Sequence, residues 1–222
     1  MGLLLLLGLL ALTFVLSWYF STYGSENEKR IRKMCKGKSQ FQQNIIIYFL
    51  RRCKLKMPIT DDDFDGFIFW FSNNYNSAEN VLGQLGVDED EVKEIAPVHF
   101  EGFKYQDAFV KTNMKKQLVS SIYETSWLFF SPNQIFVYKA TMNLFDNTIH
   151  VVADEFFYRD IVSFSTLTDR EAANTGMNIP MDSFSMLNSG GERFTCSMTN
   201  VPDAKTSIDG MKQLLREKKG NM

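Results

Sequence analysis

The chain changes its hydrophobic rhythm several times between its ends. From Leu3 to Phe20 it runs 18 residues without a charge, Asn, Gln or Pro. As a helix rising ~1.5 Å per residue this run covers about 27 Å, close to the hydrocarbon thickness of a bilayer. Trp18, Tyr19 and Tyr23 stand at its end, where amphipathic rings favour the headgroup level. The pattern predicts a transmembrane anchor over residues 1–24. A cleaved signal peptide is the rival, with Thr22-Tyr23-Gly24 as a small-x-small site, but the segment before the apolar run is only Met1-Gly2 and has no Lys or Arg. Myristoylation at Gly2 would want Ser or Thr at position 6, where Leu6 stands.

Residues 25–58 are polar and basic. Ser25 to Lys38 reads as a juxtamembrane linker or interrupted helix. Gln40 to Lys56 places Phe41, Ile45, Tyr48 and Phe49 on one helical face, and Pro58 stops it. Residues 59–96 predict an acidic helical region. Thr60 caps a helix whose first residues, Asp61-Asp62-Asp63, suit the positive end of the dipole. A second short helix runs from Ser77 to Leu85 and closes at Gly86, and a third opens at Asp88 and ends at Pro97.

After Pro97 the period becomes two. Strands are predicted over Val98 to Tyr105, Gln117 to Phe130, Ile135 to Leu144, Thr148 to Phe157, Ile161 to Leu167, Ser183 to Leu187 and Arg193 to Met198. Asp146-Asn147 and Asn188-Ser189-Gly190-Gly191 supply hairpin turns. A helix from about Pro202 to Lys219 carries Ile208, Met211 and Leu215 as its apolar stripe. The fold class is α+β: an N-terminal transmembrane helix, a small helical region, and a seven-stranded antiparallel sandwich over 97–222 capped by the last helix.

This layout resembles the pleckstrin-homology-like superfamily, particularly its bacterial membrane-associated and GRAM-like branches. The stretch from Trp127-Leu128-Phe129-Phe130 to Tyr158-Arg159-Asp160-Ile161-Val162-Ser163-Phe164 carries the resemblance, with an aromatic-x-Asp-Ile-x-Ser turn between two strands. It covers about Val98 to Lys219. The resemblance implies binding of a protein or a phosphoinositide and rarely catalysis. The regular basic loop of phosphoinositide binders is missing, since Lys111, Lys115 and Lys116 fall in no K-x-n-R arrangement.

Charge sharpens the picture. The 222 residues carry a formal net charge of -2. Ten basic residues, Lys29, Arg30, Arg32, Lys33, Lys36, Lys38, Arg51, Arg52, Lys54 and Lys56, nevertheless stand together with no Asp or Glu between them. They are the candidate contacts to anionic lipid headgroups, each gaining about 1 kcal/mol near a charged surface. The alternative is a solvated face over a folded core. Because this basic flank follows the apolar run, the positive-inside rule places the short N-terminus outside and the bulk of the chain in the cytoplasm. Nucleic acid is not expected as a partner, as the most basic part holds few aromatics.

Chemical motifs are sparse. Asp61, Asp63 and Asp65, followed by Gly66 and Ile68, match the first half of an EF-hand loop. Its twelfth position is Ser72 where Glu is required, so any calcium site would be weak and an acidic helix start explains the residues more simply. The two histidines, His99 and His150, have no ligand at metal spacing and read as surface or edge-strand residues. Cys35, Cys53 and Cys196 form no C-x-x-C pair. No nucleophile elbow or phosphate-binding loop occurs. No enzyme, metal or cofactor is expected. The expected role is a membrane-anchored, non-enzymatic adaptor that positions a protein partner, with anionic lipid adding avidity; the alternative is a small structural subunit of a larger membrane complex.

Overall fold

A computed structural model describes residues 8, 10–18, 26–51, 57–198 and 204–220. The chain divides into two compact units, Met1–Thr60 and Asp61–Met222. Charge divides at the same place. The first unit holds ten basic and two acidic residues, the second fourteen basic and twenty-four acidic.

In the first unit, residues 10–18 are helical and exposed. No helix among the described residues is long and apolar enough to cross a membrane. The expected membrane-spanning anchor is therefore corrected, and the single-pass placement with the bulk of the chain cytoplasmic falls with it. Apart from Gly8, the remaining positions of the Leu3 to Phe20 run lie outside the described residues.

Two further helices, α1 (Glu26–Cys35) and α2 (Gln40–Leu50), form an antiparallel hairpin. Gly37 makes the turn at φ +76°, a left-handed conformation that costs glycine nothing. Ser39 and Gln42 then close a reciprocal capping box, which satisfies two donors that the helix start would leave orphaned. At the open end of the hairpin the Arg51 guanidinium grips the buried Glu28 carboxylate through two bonds of 3.0 and 3.2 Å. Asn27 donates to the carbonyl of Leu50 at 2.9 Å. Helix α2 stops at Leu50, six residues short of the expected end, because Arg51 turns to extended backbone.

The second unit begins with α3 (Asp61–Tyr75) and α4 (Ala78–Leu85), followed by a single 3-10 turn at Glu89–Val92 in place of the expected third helix. Nine strands follow among the described residues: β1 (Val98–Lys104), β2 (Val110–Thr112), β3 (Leu118–Ser120), β4 (Ile122–Phe130), β5 (Gln134–Asn143), β6 (Thr148–Phe157), β7 (Ile161–Ala172), β8 (Asn178–Asn188) and β9 (Arg193–Ser197), with α5 (Ala204–Gly220) last. They form three antiparallel sheets, ordered β1-β4-β5-β6, β2-β3 and β7-β8-β9.

The expected single seven-stranded sandwich is thus corrected. The predicted strand from Gln117 to Phe130 breaks at Ser121, whose N–H turns to the carbonyl of Phe109 while its hydroxyl accepts the N–H of Phe109. That break frees β3 to pair with β2, so an extra hairpin stands beside the larger sheets.

One apolar core joins the four-stranded sheet, the three-stranded sheet and α5. Phe100, Leu128 and Val137 come from the first, Phe184 and Phe194 from the second, and Met211 and Leu215 from the helix. Across the other face of the four-stranded sheet lies α3, where Phe64 stacks on Phe103 at 6.2 Å and Phe71 meets Tyr123 edge-on at 6.2 Å. Asn76, in the α3–α4 link, accepts the indole N–H of Trp127 at 2.8 Å.

Candidate functional site

Strand β6 is unlike its neighbours. Its residues Thr148 to Phe157 read as a strand because β-branched and aromatic residues dominate, yet only Phe156 is buried. Val151 is 46% exposed, Val152 40% and Phe157 42%. The strand ends its sheet, and no strand among the described residues pairs with its outer edge.

The ladder parity tells which backbone groups that edge presents. Tyr158 N–H donates to the Asn133 carbonyl, in register with the Gln134–Phe157 pair. On β5's other side, Leu144 N–H donates to Ser121 and Ser131 N–H to Gln134, both in register with the β4–β5 pairing. In an antiparallel ladder, bonded and non-bonded pairs alternate. Even-numbered residues of β6 therefore bond to β5, and the N–H and C=O groups of Ile149, Val151, Ala153, Glu155 and Phe157 point away from the sheet.

An unpaired row of this kind is a template for another strand, and proteins usually blunt it with Lys, Pro, bulges or a covering element. β6 has no Lys, no Pro and no register shift. Its charges are Asp154 and Glu155, on opposite faces; Glu155 accepts from Gln134 at 3.0 Å. By contrast, β7 ends the other large sheet with its edge managed. A bulge interrupts its pairing between Ile161 and Ser163. Near its end, the Ala172 carbonyl accepts from Asp107 N–H, and the Glu171 carboxylate takes the N–H groups of Tyr105 and Gln106.

The basic candidates fall into three groups. Lys29, Arg30, Arg32, Lys33 and Lys36 are exposed on or just after α1, on the side opposite the buried Ile31. Lys38 is half-buried, and Arg51 is tied to Glu28, so its charge is largely spent inside the hairpin. Arg52, Lys54 and Lys56 lie outside the described residues.

The aspartates of the half EF-hand lie on the first turns of a helix, not in a loop. Asp61 accepts the Met114 N–H at 2.6 Å and stands 3.6 Å from Lys111. Lys115 bridges Asp62 and Asp65 at 3.3 and 2.7 Å. The β2–β3 hairpin thus supplies the cations that these carboxylates face, and no group of metal-ligating side chains occurs among the described residues.

His99 lies under the helical layer, half-buried on β1 beside Trp127. Its Nε2 is 2.9 Å from the Thr125 hydroxyl, which itself donates to Asn76. Nε2 is then the protonated nitrogen, and burial holds the ring neutral, with its pKa down at about 4. Burial raises the Cys196 thiol well above its usual range, with Glu124 adding to the rise, so this cysteine stays protonated.

The open edge was invisible to pattern reading, which shows that a segment is a strand but not which side of it is unpaired. The available signal was the run Ile149 to Ala153, apolar at consecutive positions except His150, with neither Lys nor Pro to guard it. No family model matches this chain, and neither a curated protein nor a solved structure matches it.

Proposed function

We propose that this chain is a non-enzymatic binding module that takes up an extended segment of a protein partner as a tenth strand along β6. The carrying observation is the row of outward backbone groups at Ile149, Val151, Ala153, Glu155 and Phe157, beside exposed Val151 and Phe157. Strand addition gains affinity from main-chain bonds, and alternate side chains give specificity. Val151 and Phe157 share one face of β6 and would select apolar residues opposite them on the added strand. The pleckstrin-homology-like resemblance of 98–219 enters this proposal on the sequence alone.

The test places a photo-reactive phenylalanine analogue at position 151 of the full chain and identifies the adduct by mass spectrometry, with and without Ala153→Pro. Proline at 153 removes only an outward N–H and puts its ring where an added strand would lie. The adduct forms at 151 and disappears with Ala153→Pro. An adduct indifferent to that proline would contradict strand addition. A subunit of a larger complex would use the same edge; recovery of the adduct at fixed stoichiometry in every preparation distinguishes that role from an adaptor's.

The exposed basic residues of α1 favour anionic phosphate groups as a second contact. Flotation of the full chain with vesicles containing anionic lipid, but not with neutral ones, supports it; equal flotation, or none, removes it.

A further inference from the structure

A groove of about 830 Å³ runs between α4 and the segment from Val87 to Pro97. Its floor is apolar, made by Leu82, Val87, Val92 and Phe129. Its rim is acidic: Glu79, Asp88 and Glu89 are exposed and line it. None of the three forms a salt bridge among the described residues, whereas the groove's lysine, Lys93, is already tied to Asp90.

Gly83 opens this groove. It sits inside α4, one turn after Glu79 and beside Leu82, and lines the same cavity. A Cβ built on it would meet nothing within 4 Å. Its backbone is therefore not glycine for want of room, nor for a left-handed turn, since its φ is ordinary. A side chain there would project into the groove. A glycine in a helix interior weakens the helix, and here it leaves bare backbone against which another helix can pack closely.

We infer that this groove docks an amphipathic helix of a protein partner, with an apolar stripe seated on Leu82 and Val92 and with Lys or Arg facing Glu79, Asp88 and Glu89. An apolar floor beside exposed carboxylates that form no salt bridge calls for both features in one ligand, and an α-helix with anchors at i, i+3, i+4 and i+7 supplies them. The acidic excess of the whole second unit steers a basic segment toward it. This site is separate from the β6 edge.

The test uses the full chain and a dye-labelled 14-residue Leu/Lys peptide whose leucines form one helical stripe, followed by anisotropy at physiological salt. The control is a peptide of the same composition scrambled to have no stripe. The striped peptide binds at least about tenfold tighter than the scrambled one. Gly83→Leu fills the groove and weakens binding at least about tenfold, while the thermal midpoint is unchanged or higher. Replacing Glu79, Asp88 and Glu89 by Gln, Asn and Gln weakens binding and flattens its salt dependence. Ala153→Pro leaves the affinity unchanged. Equal binding of the scrambled peptide, indifference to Gly83→Leu, or loss on Ala153→Pro would each overturn the assignment.

Discussion

The carboxylate of Glu124, on β4, accepts the backbone N–H of Ser197, on β9, at 2.9 Å in a site closed to solvent. This bond pins the three-stranded sheet to the four-stranded one. The Thr141 hydroxyl donates to the same carboxylate at 3.3 Å, and Lys104 stands 3.7 Å away. Lys139 adds a second pin, donating to the Thr195 carbonyl at 3.0 Å. Removing one partner of a buried charged network leaves the others desolvated and unsatisfied. Glu124→Ala should cost about 3 kcal/mol, read as a lower urea midpoint at unchanged slope, and Glu124→Gln should cost less.

His99 makes stability fall in acid. Its pKa is about 4 in the fold against an ordinary 6.5. Below pH 6.5 the unfolded chain binds a proton that the folded chain refuses, so unfolding gains on every step toward acid. The loss begins near 6.5, is complete near 4 and amounts to about 3 kcal/mol. Gln preserves a donor toward Thr125 without titrating. Chemical denaturation at several pH values should show His99→Gln flattening this slope, and an unchanged slope would assign the acid sensitivity elsewhere.

Calcium should not stabilise this chain. The Asp61 carboxylate is engaged by Met114 N–H, and Lys115 occupies the space between Asp62 and Asp65. A cation would have to displace Lys115 and unwind the first turn of α3. Adding millimolar calcium should leave the thermal midpoint unmoved, whereas Asp61→Ala, which orphans the Met114 N–H, should lower stability by about 1 kcal/mol.

Gly83→Ala should raise stability by about 0.5–1 kcal/mol. A methyl group there meets nothing within 4 Å, and alanine loses less backbone entropy on entering the helix. A lower midpoint in thermal denaturation would mean that the groove is closed in solution.

Much of the β region could be read from alternation and turn chemistry. Strand β6 has the bounds that its sequence predicts, Thr148 to Phe157, and Asn147 takes the left-handed conformation expected of that turn, at φ 54°. The reading falls short at β7 and β8. Thr166, Thr168, Asp169 and Arg170 leave the end of β7 without an apolar face, and Pro180 interrupts the alternation of buried Ile179 and Met181 in β8, so both strands run longer than the expected Ile161 to Leu167 and Ser183 to Leu187. It failed again at β2 and β3, each of three residues, too short for any period. The basic cluster was legible because charge is local to sequence, and its boundary coincides with the division at Thr60. The apolar N-terminal run misled because hydropathy is a property of residues, whereas a span also needs a helix long and apolar enough, and none occurs among the described residues. Neither the free edge of β6 nor the groove at Gly83 could be foreseen, since each is defined by what fails to pack against it.

Residue-resolved amide exchange along β6, in the full chain alone and in its cross-linked complex, tests the central claim most directly. Alone, the amides of His150, Val152, Asp154 and Phe156 should be protected and those of Ile149, Val151, Ala153, Glu155 and Phe157 should exchange freely. In the complex the alternation should vanish, with both sets protected. Uniform protection in the chain alone, or alternation that survives in the complex, would contradict strand addition at this edge.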